Sequence, residues 1–127
     1  MFILRVNEFH FRILPKKNML NFKKMKVWEA SFELVEMIYK TSLKLPSEEI
    51  YGIADQIKRA SVSISSNIAK GCSSLSDKDK ARFIEIALGL TFALETQILI
   101  CKRLEYFNIE EGECLLNKIS LVQKLLS

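Results

Sequence analysis

Between Ile53 and Lys70 the chain follows two helical periods at once, and this constrains its fold more than any other feature. Ile53, Ile57, Ala60, Ile64 and Ile68 recur at steps of three and four. That spacing stacks them on one strip of an α-helix as a core seam. Gln56, Arg59, Ser63, Asn67 and Lys70 recur in the same way on an adjoining strip. A polar row bordering a core seam is either a solvated flank or a surface that another molecule recognises.

The same period extends on both sides. A helix over residues 23–45 puts Val27, Ala30, Leu34, Ile38 and Leu45 on one face, with Ser31, Val35 and Leu43 on its flank. Pro46 stops it, because the residue before proline is pushed out of the helical region. The second helix opens near Ser47 or Glu49, with Glu48 and Glu49 favoured by the dipole at a helix start. It closes near residue 69, before Gly71, whose backbone readily takes the left-handed conformation of a helix end. Ser76 with Asp79 is a start signal for a third helix reaching about residue 106. Asn108 with Glu111 repeats that signal for a fourth, with Leu115, Ile119, Val122 and Leu126 as its core face. Only 4 Gly and 2 Pro punctuate the 127 residues, which favours long helices over many strands. The expected fold is all-α, an antiparallel up-down-up-down four-helix bundle over residues 22–127. Residues 1–21 lack a clear period and are broken by Pro15, so they read as an N-terminal extension.

Helix three is greasier than one face requires. One apolar strip is Phe83, Ala87, Leu90, Leu94 and Cys101; a second is Ile84, Leu88, Phe92 and Leu99, interrupted by Glu95. A helix in a monomeric bundle needs one such stripe. The surplus predicts homo-oligomerisation through Ile84, Leu88, Phe92 and Leu99, or else cover by the N-terminal extension. Glu95 inside an apolar strip needs a partner, since an unpaired buried carboxylate is costly; Lys58, Arg59 and Asn67 of helix two are the candidates.

Charge is unevenly spread. Residues 1–26 hold seven bases and one acid, whereas residues 27–127 hold 12 bases and 14 acids. The overall +4 therefore belongs to the leading segment and argues little for nucleic-acid binding by the body. Within the body, Lys58, Arg59, Lys70, Lys78, Lys80 and Arg82 outnumber Asp77 and Asp79, while Glu105, Glu110, Glu111 and Glu113 stand without a base.

Chemistry is nearly absent. The sole histidine, His10, lies in the extension, so no Ser-His or Cys-His arrangement arises in the body. No Gly-rich phosphate loop occurs, and no Glu-x-x-His pair of a bundle metal site. Cys72, Cys101 and Cys114 form neither a zinc pattern nor a disulfide framework. We expect no enzyme activity, no cofactor and no metal. Glu29, Glu33 and Glu36 read as a solvated face, Trp28 as core, and Tyr39, Tyr51 and Trp28 as too scattered for base stacking. The run from 86 to 94, flanked by Glu85 and Glu95, falls short of the roughly 20 residues of a membrane span. No signal-peptide pattern opens the chain, and a cytoplasmic protein without a membrane partner is expected.

Several ordered matches carry a resemblance. They are Phe22-Lys-Lys-Met-Lys-Val-Trp28-Glu-Ala30, then Leu45-Pro46 with Glu49, Tyr51-Gly52 and Gln56, then Arg59-Ala60, Ser63-Ile64, Asn67-Ile68-Ala69 and Gly71, then Phe83, Ala87, Gly89 and Leu94-Glu95-Thr96-Gln97. In this the chain resembles the four-helix-bundle proteins encoded within intervening sequences of bacterial 23S rRNA genes. The match covers about residues 22–127. It departs at Lys70, where the family has Glu in "N-I-A-E-G", and at Leu88, Leu90 and Ala93, where basic, Ser and Glu residues are common. The resemblance implies a non-enzymatic bundle that forms ring-like homopentamers. Similar bundles are accessory subunits of diversity-generating retroelements, where a basic pentamer engages nucleic acid and a reverse transcriptase.

Two functions follow. In the first, a homo-oligomer contacts phosphates, RNA included, through Lys58, Arg59, Lys70, Lys78, Lys80 and Arg82, without reading bases. In the second, the chain is a protein-interaction scaffold or accessory subunit with no direct nucleic-acid contact. In both, Gln56, Ser63, Asn67 and Glu95 serve packing and assembly.

Overall fold

A computed structural model describes residues 21–127. A 3-10 turn, Phe22–Lys24, leads into α1 (Lys26–Ser42), and a second, Ser47–Glu49, precedes α2 (Ile53–Ser73). Two further helices follow, α3 (Asp77–Arg103) and α4 (Ile109–Leu126), and no strand occurs among the described residues. The class is all-α, as the periods require. The expected extension lies, save for Asn21, outside the described residues.

Side-chain contacts fix the helix directions. Ser65 Oγ donates to Ser31 Oγ at 3.0 Å, and Lys58 Nζ stands 5.6 Å from the centre of the Tyr39 ring. Residue numbers therefore fall along α2 as they rise along α1. The same inversion joins α2 to α3, where Gln56 meets Gln97 and Gly71 faces Ile84. It joins α3 to α4 through Lys102 with Glu113 and Gln123 with Glu95, and α4 to α1 through Lys118 with Glu33 and Lys44 with Glu111. Each helix thus packs antiparallel against two neighbours, in the order α1, α2, α3, α4 and back to α1. The ion pairs among these contacts are largely exposed and worth at most about 1 kcal/mol each. The core carries the stability: Leu34, Ile38, Ile57, Ile64, Ile68, Leu94, Ile98, Leu115, Ile119, Val122 and Leu126 are fully buried.

Helix ends differ from expectation for local reasons. α1 stops at Ser42, where the Thr41 and Ser42 hydroxyls donate to the carbonyls of Met37 and Tyr39. Leu45 remains in the core, but Leu43 points to solvent. Residues 47–49 form only the 3-10 turn, and the Glu49 carboxylate accepts from the Ile53 amide at 3.1 Å, capping α2 from four residues away. Gly71 does not end α2. It is buried inside the helix, where an added Cβ would lie 3.2 Å from Ile84 Cδ1 and 3.4 Å from the Lys80 carbonyl. Its glycine serves the close approach of α2 and α3. The expected caps of the later helices are present: Ser76 accepts from the Asp79 amide at 3.1 Å, and Asn108 and Glu111 form a complete capping box.

α3 ends at Arg103, earlier than expected, because Glu105 turns left-handed at φ 60°. The Tyr106 amide then donates to the Cys101 carbonyl at 2.9 Å, as in a Schellman closure. A left-handed residue with a side chain costs about 1–2 kcal/mol, of which glycine gives part back as unfolded-chain entropy. Glu105→Gly is therefore expected to stabilise the fold by a net ~0.5–1 kcal/mol. The urea midpoint reads this; an unchanged or lower midpoint refutes it.

The two strips of α3 are not two faces. Its inward seam is Ile84, Ala87, Thr91, Leu94, Ile98 and Cys101 at alternating steps of three and four, with Leu88 beside it. Ile84 and Leu88 come from one expected strip, Ala87, Leu94 and Cys101 from the other, and Thr91 and Ile98 from neither. Thr91 hid this seam in the sequence because it is polar. Its hydroxyl donates to the Leu88 carbonyl at 2.6 Å, which lets it sit in the core. Ile84 and Leu88 are thus core residues and leave the expected oligomer strip, of which Phe92 (54% exposed) and Leu99 (46%) remain outside. The outward side of α3 carries Ile86, Gly89, Ala93, Ile100 and Leu104, all exposed. α3 is also long and apolar enough, by length and composition alone, to cross a membrane. The run from 86 to 94, bounded by Glu85 and Glu95, is only part of that apolar length.

Candidate nucleic-acid interface

Antiparallel order brings the start of α1, the α2–α3 connection and the end of α4 to one end of the bundle. The turn Phe22–Lys24 packs against α2 as well as α1, and Asn21 accepts from the Lys23 amide at its start. Lys23, Lys24 and Lys26 therefore join Lys70, Lys78, Lys80 and Arg82. Residues 21–26 and 70–82 together hold seven bases against Asp77 and Asp79. By charge the first three group with the leading segment, while the expected first helix already opens at residue 23. In the structure residues 22–24 form the 3-10 turn docked on α2, and α1 opens at Lys26.

The bases at this end are not equivalent. Lys78 is exposed. Lys80 Nζ donates to the Ser74 carbonyl and so closes the C-terminal end of α2. Arg82 lies 3.7 Å from Asp79 and 4.5 Å from the Phe83 ring centre, and Lys70 approaches the same ring at 5.9 Å. Phe83 thus holds two cations beside one another. Lys58 and Arg59 stand apart, three turns up α2. Arg59 is bonded to Asp55 at 2.8 Å and Lys58 leans over Tyr39. The six expected bases therefore divide into a cluster of four and a separate pair.

The opposite end carries Glu48 and Glu49 of the first connection and Glu105, Glu110, Glu111 and Glu113; Lys102 bonds Glu113, and Lys44 bonds Glu111 across the gap. That bond holds the Glu111 carboxyl below its usual range.

The polar stripe of α2 lies along the seam with α3. Asn67 is buried, and its Nδ2 donates to the Ser63 carbonyl at 2.8 Å and to Ser63 Oγ at 3.2 Å. Gln56 accepts from Gln97 Nε2 at 3.5 Å, while Gln97 Oε1 is buried without a hydrogen-bond partner. Glu95 finds its partner on α4, accepting from Gln123 Nε2 at 2.8 Å. The expected α2 partners are wrong because Glu95 sits on the α4 side of the seam. Of the supposed solvated face of α1, Glu29 and Glu36 are exposed but Glu33 is bonded to Lys118 at 2.6 Å.

Cys72 and Cys101 are buried, and burial pushes their thiols up to about 12 and about 11, aided at Cys101 by the Glu49 carboxylate. Thiols held protonated are poor nucleophiles. Cys114 is exposed. Among the described residues no three His, Cys, Asp or Glu side chains gather as a metal site; His10 lies outside those residues. A shallow depression over the end of α3 is lined by Thr96, Leu99, Ile100, Lys102 and Arg103.

The architecture defines a class, the antiparallel four-helix bundles. Within that class the chain belongs to the 23S rRNA-intervening sequence protein family, whose model matches residues 23–127. It is similar to a solved structure from Bacteroides thetaiotaomicron VPI-5482, described as a protein of unknown function from the S23 ribosomal protein family. The two are 28% identical over 79% of this chain and 90% of that one, with a TM-score of 0.73. No curated protein matches the chain.

Proposed function

We propose that the chain acts without catalysis, as a cytoplasmic homo-oligomeric bundle that binds nucleic-acid phosphates through its basic end. The convergence of Lys23, Lys24 and Lys26 with Lys70, Lys78 and Arg82 carries this reading, since three separate segments bring an excess of bases over Asp77 and Asp79 to one end. The contacts are to phosphate and so independent of base sequence.

Assembly is supported by the outward side of α3. Ile86, Ile100 and Leu104 are apolar and exposed there. Gly89 stands among them in mid-helix, and a Cβ added to it would meet nothing within 4 Å. A glycine inside a helix costs roughly 0.5–1 kcal/mol relative to alanine, and packing among the described residues gives no reason for it. A second chain approaching the α3 backbone does. A ring, pentameric as the family resemblance implies, sets several basic ends on one rim and multiplies a weak contact by avidity.

The test is the absolute molar mass of the purified protein, with its absorbance ratio at 260 and 280 nm. A mass of several chains with co-purified nucleic acid is the expected result, and a monomeric mass overturns the assembly. Ile86→Asp combined with Ile100→Asp is expected to give folded monomer, because both side chains are exposed within one chain. Unchanged mass in that variant removes the α3 ridge as the interface. Phe92 and Leu99, exposed on the other flank of α3, favour a second reading as a protein-interaction scaffold. A protein partner that stays bound through nuclease treatment, with no nucleic acid bound by the pure chain, selects it.

A further inference from the structure

Phe22 of the 3-10 turn and Trp28 and Phe32 of α1, scattered in sequence, touch in space, and Tyr39 lies farther along the same strip of α1. The Phe22 ring meets Trp28 edge-on at 5.4 Å between centroids and 69° between planes. Trp28 and Phe32 lie 5.0 Å apart at 34°. Tyr39, seven residues beyond Phe32 and so about 10.5 Å along the helix axis, continues the same strip. Phe22 and Trp28 lean partly on the core, whereas Phe32 is 47% exposed and Tyr39 46%. Lys23 and Lys24 stand on the turn that carries Phe22, and Lys58 of α2 hangs over Tyr39 at 5.6 Å.

From this arrangement we infer that the α1–α2 face is a stacking platform for single-stranded nucleic acid, with Phe32 and Tyr39 receiving separate bases and Lys23, Lys24 and Lys58 the phosphates. The inference rests on the phosphate-binding reading above and deepens it from nucleic acid in general to the single-stranded form. The reason is chemical. A phosphate contact is indifferent to strandedness, but an exposed ring can stack only on a base whose face is free, which a duplex does not offer. The cations lie beside the aromatic row, which is the arrangement that tracks a single strand. Glu29 and Glu36 border the outer side of the strip and Glu33 is engaged by Lys118, so the backbone of a bound strand follows the α2 side, where Lys58 stands.

Trp28 is the sole tryptophan and lies in the row, so the unmodified protein reports on its own platform. The 127-residue chain is titrated at low salt with an oligothymidylate of about 15 nucleotides, near the upper site size of single-strand binders, and with a mixed-sequence duplex of equal length. Trp28 emission and the anisotropy of labelled oligonucleotide are both followed. Quenching by the single strand and not by the duplex is expected. Phe32→Ala with Tyr39→Ala is expected to weaken single-strand binding by about 10-fold or more and leave duplex binding unchanged. Both side chains are half exposed, so truncation opens no core cavity. Equal binding of both forms, unmoved by the double variant, overturns the platform while leaving the basic end in place. Binding of neither form overturns both. A change in molar mass of the double variant overturns the platform as well, since it makes the strip a contact between chains.

Discussion

Leu94→Ala is expected to lower the unfolding free energy by about 2–5 kcal/mol, the range for deleting a buried leucine side chain. Leu94 is fully buried near the middle of the α3 seam, between Thr91 and Ile98. A cavity there faces rigid helices on both flanks, which limits collapse and puts the cost toward the upper part of that range. Ile84→Ala makes the comparison informative, because the sequence reading placed Ile84 at an oligomer surface and the structure places it against Gly71 in the core. Its truncation is expected to cost a similar amount in urea unfolding and to leave the molar mass unchanged. Loss of assembly with stability retained would return Ile84 to an interface.

The second large effect is expected from reversing charge at the basic end. Lys70→Glu, Lys78→Glu and Arg82→Glu together are expected to weaken nucleic-acid binding on the order of 100-fold at low salt, the scale set by counterion release. Each phosphate contact removed also takes about 0.9 from the slope of log affinity against log salt for a duplex. The fold tolerates the change: negative charge near the start of α3 suits its dipole, and Glu at position 70 restores the residue common in similar bundles. Lys80 is spared, since its bond to Ser74 holds the α2–α3 connection. Affinity and salt slope unchanged in the triple variant would remove the basic end from function. Lys58→Glu is expected to leave duplex affinity nearly unaffected, because Lys58 stands three turns away.

The parts of this fold visible in the sequence are those set by short-range rules. The α2 core seam, the Asn108–Glu111 capping box and the apolar face of α4 all follow from spacing within one helix. What was hidden depends on satisfaction or contact at longer range. Thr91 broke an apolar pattern on paper, yet its own backbone satisfies its hydroxyl inside the core. Gly71 resembled a terminator and instead relieves crowding against Ile84. Glu95 pairs with Gln123 because of which neighbour its side of α3 meets. Lys23 and Lys24 read as the first turn of a continuous helix, but they sit on a 3-10 turn docked on α2, and the Phe22, Trp28 and Phe32 contacts join residues across the break between that turn and α1. The basic end and the aromatic row were therefore legible as residue types and illegible as surfaces.

With an even number of helices, the polypeptide leaves the bundle on the side where it entered. Asn21 and Ser127 both emerge beside Lys70, Lys78 and Arg82, while the opposite end holds only two connections. A segment joined at Ser127 therefore starts at the end of the bundle that carries the proposed phosphate contacts. Leu43 and Tyr51, exposed positions of the first connection, can be labelled without crowding that surface.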